Sequence, residues 1–141
     1  MKLEHLMQAY KHNGIEPIEV KRVEEERSGV IKFTDDIYAT YYEDDEVVRS
    51  IQIFATALTS KAKTASNQVI HTTELLKVLS HTIDLLANTT QKERNDILKS
   101  LGLFNGAFKE GKYIQYQTHM YKIEIVESLI LFTLSEVEVI E

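Results

Sequence analysis

The sequence predicts an α+β domain: an antiparallel β-sheet of about six strands packed on one side by a helical pair, in the order α-ββββ-αα-ββ(β). Three observations carry that prediction. Short β-rich runs separated by brief polar turns fill residues 18–57. A long amphipathic stretch over 64–87 leads into a second, well-capped helix. Further β-rich runs then follow from Tyr113 to Leu134. At 141 residues the chain fits one domain spanning 1–141 and can bury a real core.

The first element is a short helix over residues 3–12, where Leu3, Leu6, Met7 and Tyr10 recur at helical spacing and Gly14 offers a stop. Pro17, the single proline, favours an extended path after it. Ile18 to Val23, Val30 to Phe33, Ile37 to Tyr42 and Val47 to Phe54 then read as four strands of a meander. Arg27-Ser28-Gly29, Asp35-Asp36 and Glu43-Asp44-Asp45-Glu46 punctuate them. Connections this brief suit antiparallel neighbours.

Residues 64–87 give the strongest helix signal. At about 100° per residue, Val69, Leu75, Leu76, Val78, Leu79, Ile83, Leu85, Leu86 and Ala87 occupy an arc of about 200°. One flat contact needs less, so this helix is expected to be wedged between the sheet and the next helix. That next helix opens on a capping box, Thr90-Gln91-Lys92-Glu93, and presents Ile97, Leu98 and Leu101 to the core. Gly102 stands where a left-handed C′ residue belongs, with Leu103 placed for a contact back to Leu98. Residues 104–111 read as a loop. Tyr113 to Thr118 and Tyr121 to Val126 read as a hairpin turning at His119-Met120, in which Tyr113 and Tyr121 cannot both be core beside Ile114, Ile123 and Ile125. Leu129 to Leu134 is apolar on both faces, as in a strand covered on both sides or a homodimer contact through Leu129, Leu131 and Phe132, with a short buried helix as the next reading.

A net charge of −6 argues against nucleic acid as a partner, since phosphate neutralisation needs clustered Lys and Arg. The acids concentrate in the strand regions: residues 1–60 hold 12 acids and 7 bases, whereas 61–110 hold 5 and 7. The absence of cysteine excludes disulfides, thiol catalysis and Cys-type metal centres. No stretch is long and apolar enough to span a membrane, and the N-terminus lacks an apolar signal core. A cytoplasmic protein is expected if the chain is full length, and an envelope or secreted one if a signal was removed.

No constellation announces catalysis or a cofactor. His71 and His81 share one arc of their helix with Glu74, yet they stand about 15 Å apart along the axis, too far to ligate one ion. The acidic run Glu43 to Glu46 lacks the spacing of a calcium loop, and no nucleophile elbow or glycine-rich phosphate loop occurs. Asn88-Thr89-Thr90 matches a glycosylation sequon but serves as helix punctuation. Tyrosine stands out instead. Tyr38, Tyr41 and Tyr42 lie on one strand and Tyr113 and Tyr116 on the late hairpin, beside the acidic tip residues Asp44 and Asp45. An aromatic sheet face next to acids suits protein recognition.

The layout of Ile37 to Tyr42, Val48 to Phe54, the Leu101-Gly102-Leu103 helix end and Tyr113 to Val126 resembles that of small lipoprotein and secreted domains of Gram-positive bacteria. That resemblance implies an envelope-associated or partner-binding role. The expected function is therefore a non-enzymatic protein-binding or accessory module, of an envelope, immunity, inhibitor or mobile-element kind, with binding residues Tyr38, Tyr41, Tyr42, Asp44, Asp45, Tyr113 and Tyr116. The alternative is a small enzyme using His71, His81 or the acidic cluster.

Overall fold

The computed structural model describes residues 1–56, 65–102, 112–126 and 129–137, without the side chains of Glu24, Thr56, residues 65–72, Lys112 and Val126. Its elements are α1 (Leu3–His12), β1 (Glu19–Val23), β2 (Ser28–Lys32), β3 (Ile37–Asp44), β4 (Val47–Thr56), α2 (Ala65–Ala87), α3 (Gln91–Ser100), β5 (Lys112–Tyr116), β6 (His119–Val126) and β7 (Leu129–Glu136). The strands form one seven-stranded antiparallel sheet in the order β1-β2-β3-β4-β7-β6-β5. Two meanders, one before the helices and one after them, are thus joined edge to edge through β4 and β7. The α+β order expected from the sequence is present, with Leu129 to Leu134 supplying a seventh strand near the centre of the sheet.

Alternation along the strands sorts side chains onto two faces. Ile31, Ile37, Ala39, Tyr41, Ile51, Ile53, Ala55, Tyr121, Ile123, Phe132 and Leu134 point to the inner face and are buried there with residues from all three helices. The helical layer is thus three helices, because α1 joins the pair through buried Leu3, Leu6 and Tyr10. α2 touches β4, α1 and α3, which is why its apolar arc is broad. Leu75, Val78, Leu79 and Ile83 are its buried residues, together with Thr82. Thr82 is tolerated because its hydroxyl donates to the Val78 carbonyl at 2.6 Å and is hydrogen-bonded to the Tyr10 hydroxyl. Burial raises the Tyr10 pKa, so that phenol stays protonated.

Punctuation follows local chemistry. Thr90 Oγ1 accepts from the Glu93 N–H at 3.2 Å, and Glu93 Oε1 accepts from the Thr90 N–H at 3.1 Å, completing the capping box. Asn88 (φ 53°) stops α2 and Gly102 (φ 81°) stops α3 in the left-handed region. The expected Leu103 contact and the 104–111 loop lie outside the described residues.

The late hairpin corrects the sequence reading at its turn. It turns at Gln117-Thr118, since Tyr116 pairs with His119 and β6 already begins at His119. Gln117 adopts φ 55°, a conformation its residue type does not advertise. Tyr121 is fully buried because it shares the inner face with Ile123 and lies beside Leu134.

Candidate binding face

The second face of the sheet carries none of the described helices. Its residues follow from the pairing registers as rows running across the strands. The first row is Glu19, Lys32, Tyr38, Phe54, Leu131 and Glu124. The second is Lys21, Val30, Thr40, Gln52, Thr133, Lys122 and Tyr113, and the third is Val23, Ser28, Tyr42, Ser50, Ser135, Met120 and Gln115. In these rows the three central strands β3, β4 and β7 contribute Tyr38, Thr40, Tyr42, Ser50, Gln52, Phe54, Leu131, Thr133 and Ser135, with no charge among them. In a chain that is 27% charged, an outward surface of this composition calls for an explanation.

Charged residues flank these rows at the lateral margins and, on β3, at Asp44 beyond the third row. Lys21 pairs with Glu19 at 3.3 Å on one side, and Lys122 pairs with Glu124 at 3.5 Å on the other. Within the strip the Tyr38 and Phe54 rings stack in parallel, with centroids 5.0 Å apart and planes 9° apart. Val30 (37%), Tyr38 (36%), Tyr42 (44%) and Tyr113 (58%) stand open to solvent. A depression of about 250 Å³ lies at the β1 side, lined by Glu19, Lys21, Val30, Lys32 and Tyr38.

The structure therefore divides the tyrosines expected at a binding surface. Tyr38, Tyr42 and Tyr113 share the outer face. Tyr41 lies on the inner face and is only 2% exposed, so the core claims it. Its ring lies across Gly29 of the neighbouring strand, leaving that position no room for a side chain. The Tyr41 hydroxyl is close enough to the Arg22 guanidinium to raise its pKa, with Glu43 adding to the effect. The approach nevertheless misses hydrogen-bond geometry, and Oη is left without a partner. Tyr116 also lies on the inner side, where its hydroxyl donates to Glu93 Oε2 at 2.9 Å and so ties β5 to the start of α3. The capping bonds, with that of Tyr116, hold the Glu93 carboxyl below its usual range. Tyr121, its hydroxyl buried without a partner nearby, has its pKa pushed up to about 12 by burial, with the Glu93 and Tyr116 charges adding to the rise.

The acidic tip lies at the β3–β4 end of the sheet, where Asp44 follows Tyr42 at the next outward step of β3. Asp45 and Glu46 form the two-residue turn between β3 and β4, both with positive φ (56° and 63°). With Arg22, Arg27, Glu43 and Asp44 they line a cleft of about 650 Å³. Arg22 pairs with Glu43 at 2.8 Å and Arg27 with Asp44 at 3.3 Å, so two of the four carboxylates are already matched. Of the histidines weighed as catalytic, the His71 side chain lies outside the described residues. His81 is half-buried and held below the usual imidazole range by burial, with Arg94 and Lys77 adding to the effect against Asp84. The Asp84 carboxylate is engaged by Arg94 at 2.6 Å and Thr89 at 3.1 Å, so it is not free to orient that imidazole. Among the described residues no group of three His, Cys, Asp or Glu is placed to hold a metal ion. No described helix is long and apolar enough to cross a membrane.

Leu129, Leu131 and Phe132, expected as a dimer contact, also separate. Phe132 is buried within this chain's own core, whereas Leu131 belongs to the outer face. β7 has both edges paired, to β4 and β6, so it offers no backbone to another strand. The signal that finds the outer face is alternation combined with charge: positions 38, 40 and 42, then 50, 52 and 54, then 131, 133 and 135 are uncharged at alternate steps, and on β3 charge returns at Asp44, the step beyond them.

No family model, curated protein or solved structure matches the chain.

Proposed function

We propose that this protein is a non-enzymatic protein-binding module whose binding surface is the outer face of the sheet, centred on Tyr38, Phe54 and Leu131. The observation that carries the reading is the uncharged strip over β3, β4 and β7, bordered by Lys and Glu at both margins. A charge-free, aromatic-containing centre inside a charged rim is the anatomy of protein interfaces. Tyrosine and phenylalanine contribute large contact areas at little conformational cost there. The acidic turn at Asp45 and Glu46 acts as a solvated flank beside that surface. An accessory role in the envelope fits the resemblance to Gram-positive lipoprotein and secreted domains. Self-association using Leu129 and Leu131 is one form the binding can take.

Site-specific photo-cross-linking in the native cell tests this. A photoreactive amino acid in place of Thr40 or Gln52 is expected to give discrete protein adducts, and the same group in place of Lys99 on α3 is expected to give none. Equal labelling from both faces, or none from either, refutes the assignment.

A further inference from the structure

We infer that the occupant of the outer face is a second copy of this chain, packed face to face across a two-fold axis running along β4. The inference rests on the outer face being the binding surface proposed above, and three observations select the copy as its occupant.

The first is symmetry. β4 is the middle strand, with β3, β2 and β1 on one side and β7, β6 and β5 on the other. An axis along β4, lying between the two faces, sets β3 against β7 of the second copy, β2 against β6 and β1 against β5. This is the isologous contact by which homodimers close, and it retains the near-aligned strands of packed sheets. Applied to the first row, the operation stacks Phe54 on Phe54, lays Tyr38 against Leu131 and brings Lys32 opposite Glu124. In the second row Gln52 meets Gln52, whose amides can each donate and accept. Thr40 meets Thr133, and Lys21 lies over the exposed ring of Tyr113. In the third row Ser50 meets Ser50, and Tyr42 meets Ser135. Residues directly opposed at the rim thereby meet opposite charges, aromatic rings or uncharged residues, and no like charges stand directly opposite one another.

The second observation is charge. A strongly basic or acidic partner would be met by unpaired charge of the other sign in the strip, and the strip has none. Two copies of a chain carrying −6 repel through most of their surfaces, and the neutral strip is where they can approach. The third is size. Seven strands about 4.8 Å apart span about 29 Å, and six residues of strand rise about 20 Å, so each face offers about 600 Å². Two such faces remove about 1,200 Å² from water, the lower end of the range for specific interfaces.

The test is the oligomeric state of the purified chain by sedimentation equilibrium from micromolar to millimolar concentration. A monomer–dimer equilibrium is expected. Phe54→Lys, which sets two ammonium groups against each other on the axis, is expected to weaken dimerisation about a hundredfold, with unchanged far-ultraviolet circular dichroism. Lys32→Glu and Glu124→Lys alone each oppose like charges at two symmetric places, with about a tenfold loss expected. The double variant Lys32→Glu/Glu124→Lys is expected to recover the wild-type constant. A chain that stays monomeric at millimolar concentration overturns the second copy as occupant, while in-cell adducts from Thr40 to another protein would still uphold the binding face. A dimer indifferent to Phe54→Lys, or single charge swaps without rescue by the double, overturns the two-fold arrangement.

Discussion

Gly29→Ala gives the sharpest test of how the sheet is built. In an ordinary strand this change removes unfolded-state freedom and stabilises by about 0.4–1 kcal/mol where the backbone permits it. Here a Cβ at position 29 would stand 2.3 Å from the Lys21 carbonyl oxygen, 2.3 Å from the Tyr41 hydroxyl and 2.5 Å from Tyr41 Cζ. The tyrosine ring is fixed in the core, and the carbonyl belongs to a backbone paired through five residues, so neither yields by a small rotation. Overpacking of this kind costs about 3 kcal/mol, at the upper end for added methyl groups. In urea, with a slope of about 2 kcal/mol per molar, the midpoint falls by about 1.5 M. The corresponding drop in Tm is about 10 °C. Seven tyrosines and no tryptophan make tyrosine fluorescence the natural probe, alongside circular dichroism. Because β1 is an edge strand, its amides should lose hydrogen-exchange protection first. A stability equal to or above that of wild type would show that Tyr41 does not lie across Gly29.

Two further predictions address the turns. Asp45 and Glu46 occupy consecutive left-handed conformations, the geometry for which Asn-Gly is the preferred pair. Asp45→Asn/Glu46→Gly should therefore stabilise by about 1 kcal/mol, visible as a Tm rise of about 3 °C; no gain would mean that the turn has another shape. His119 follows the second hairpin turn, with Nε2 buried and unpartnered, and burial lowers its pKa against a smaller opposing effect from Glu136. A folded pKa below the unfolded value of about 6.5 means that acid favours the unfolded chain, so stability present above that pH is lost as pH falls through it. His119→Gln should flatten the urea midpoint between pH 7.5 and 5 relative to wild type, leaving, among the described histidines, the parallel contribution of His81. An unchanged pH slope would count against the buried imidazole.

What the sequence discloses is local. Thr90 and Glu93 meet across three residues, Gly14 and Gly102 mark stops one turn from the residues they serve, and alternation separates Tyr41 from Tyr38 and Tyr42 within one strand. Those signals suffice for the order of elements and for the two outward tyrosines of β3, Tyr38 and Tyr42. The pairing of β4 with β7 lies beyond them, because no local propensity encodes a contact between Ile51 and Leu134. Tyr116 is drawn inward by a carboxylate 23 residues away, and Tyr121 is buried by elements that the hairpin does not contain. Alternation shows each uncharged run by itself, and the registers join the nine residues into one strip.

The β4–β7 seam also shapes how the chain must acquire its fold. Every other strand pair joins neighbours in sequence, whereas Ser50 finds Ser135 only after all the intervening chain has been made. Closing so long a segment costs entropy that a hairpin does not, and contacts of this range slow folding. During synthesis the first meander can assemble early, yet the free edge of β4, rich in Ile and Val, must wait for β7 to emerge. In that interval it is a template for any extended strand within reach. The molecule's greatest exposure to misassociation therefore falls before β7 docks, and the strand that completes the sheet also ends that exposure.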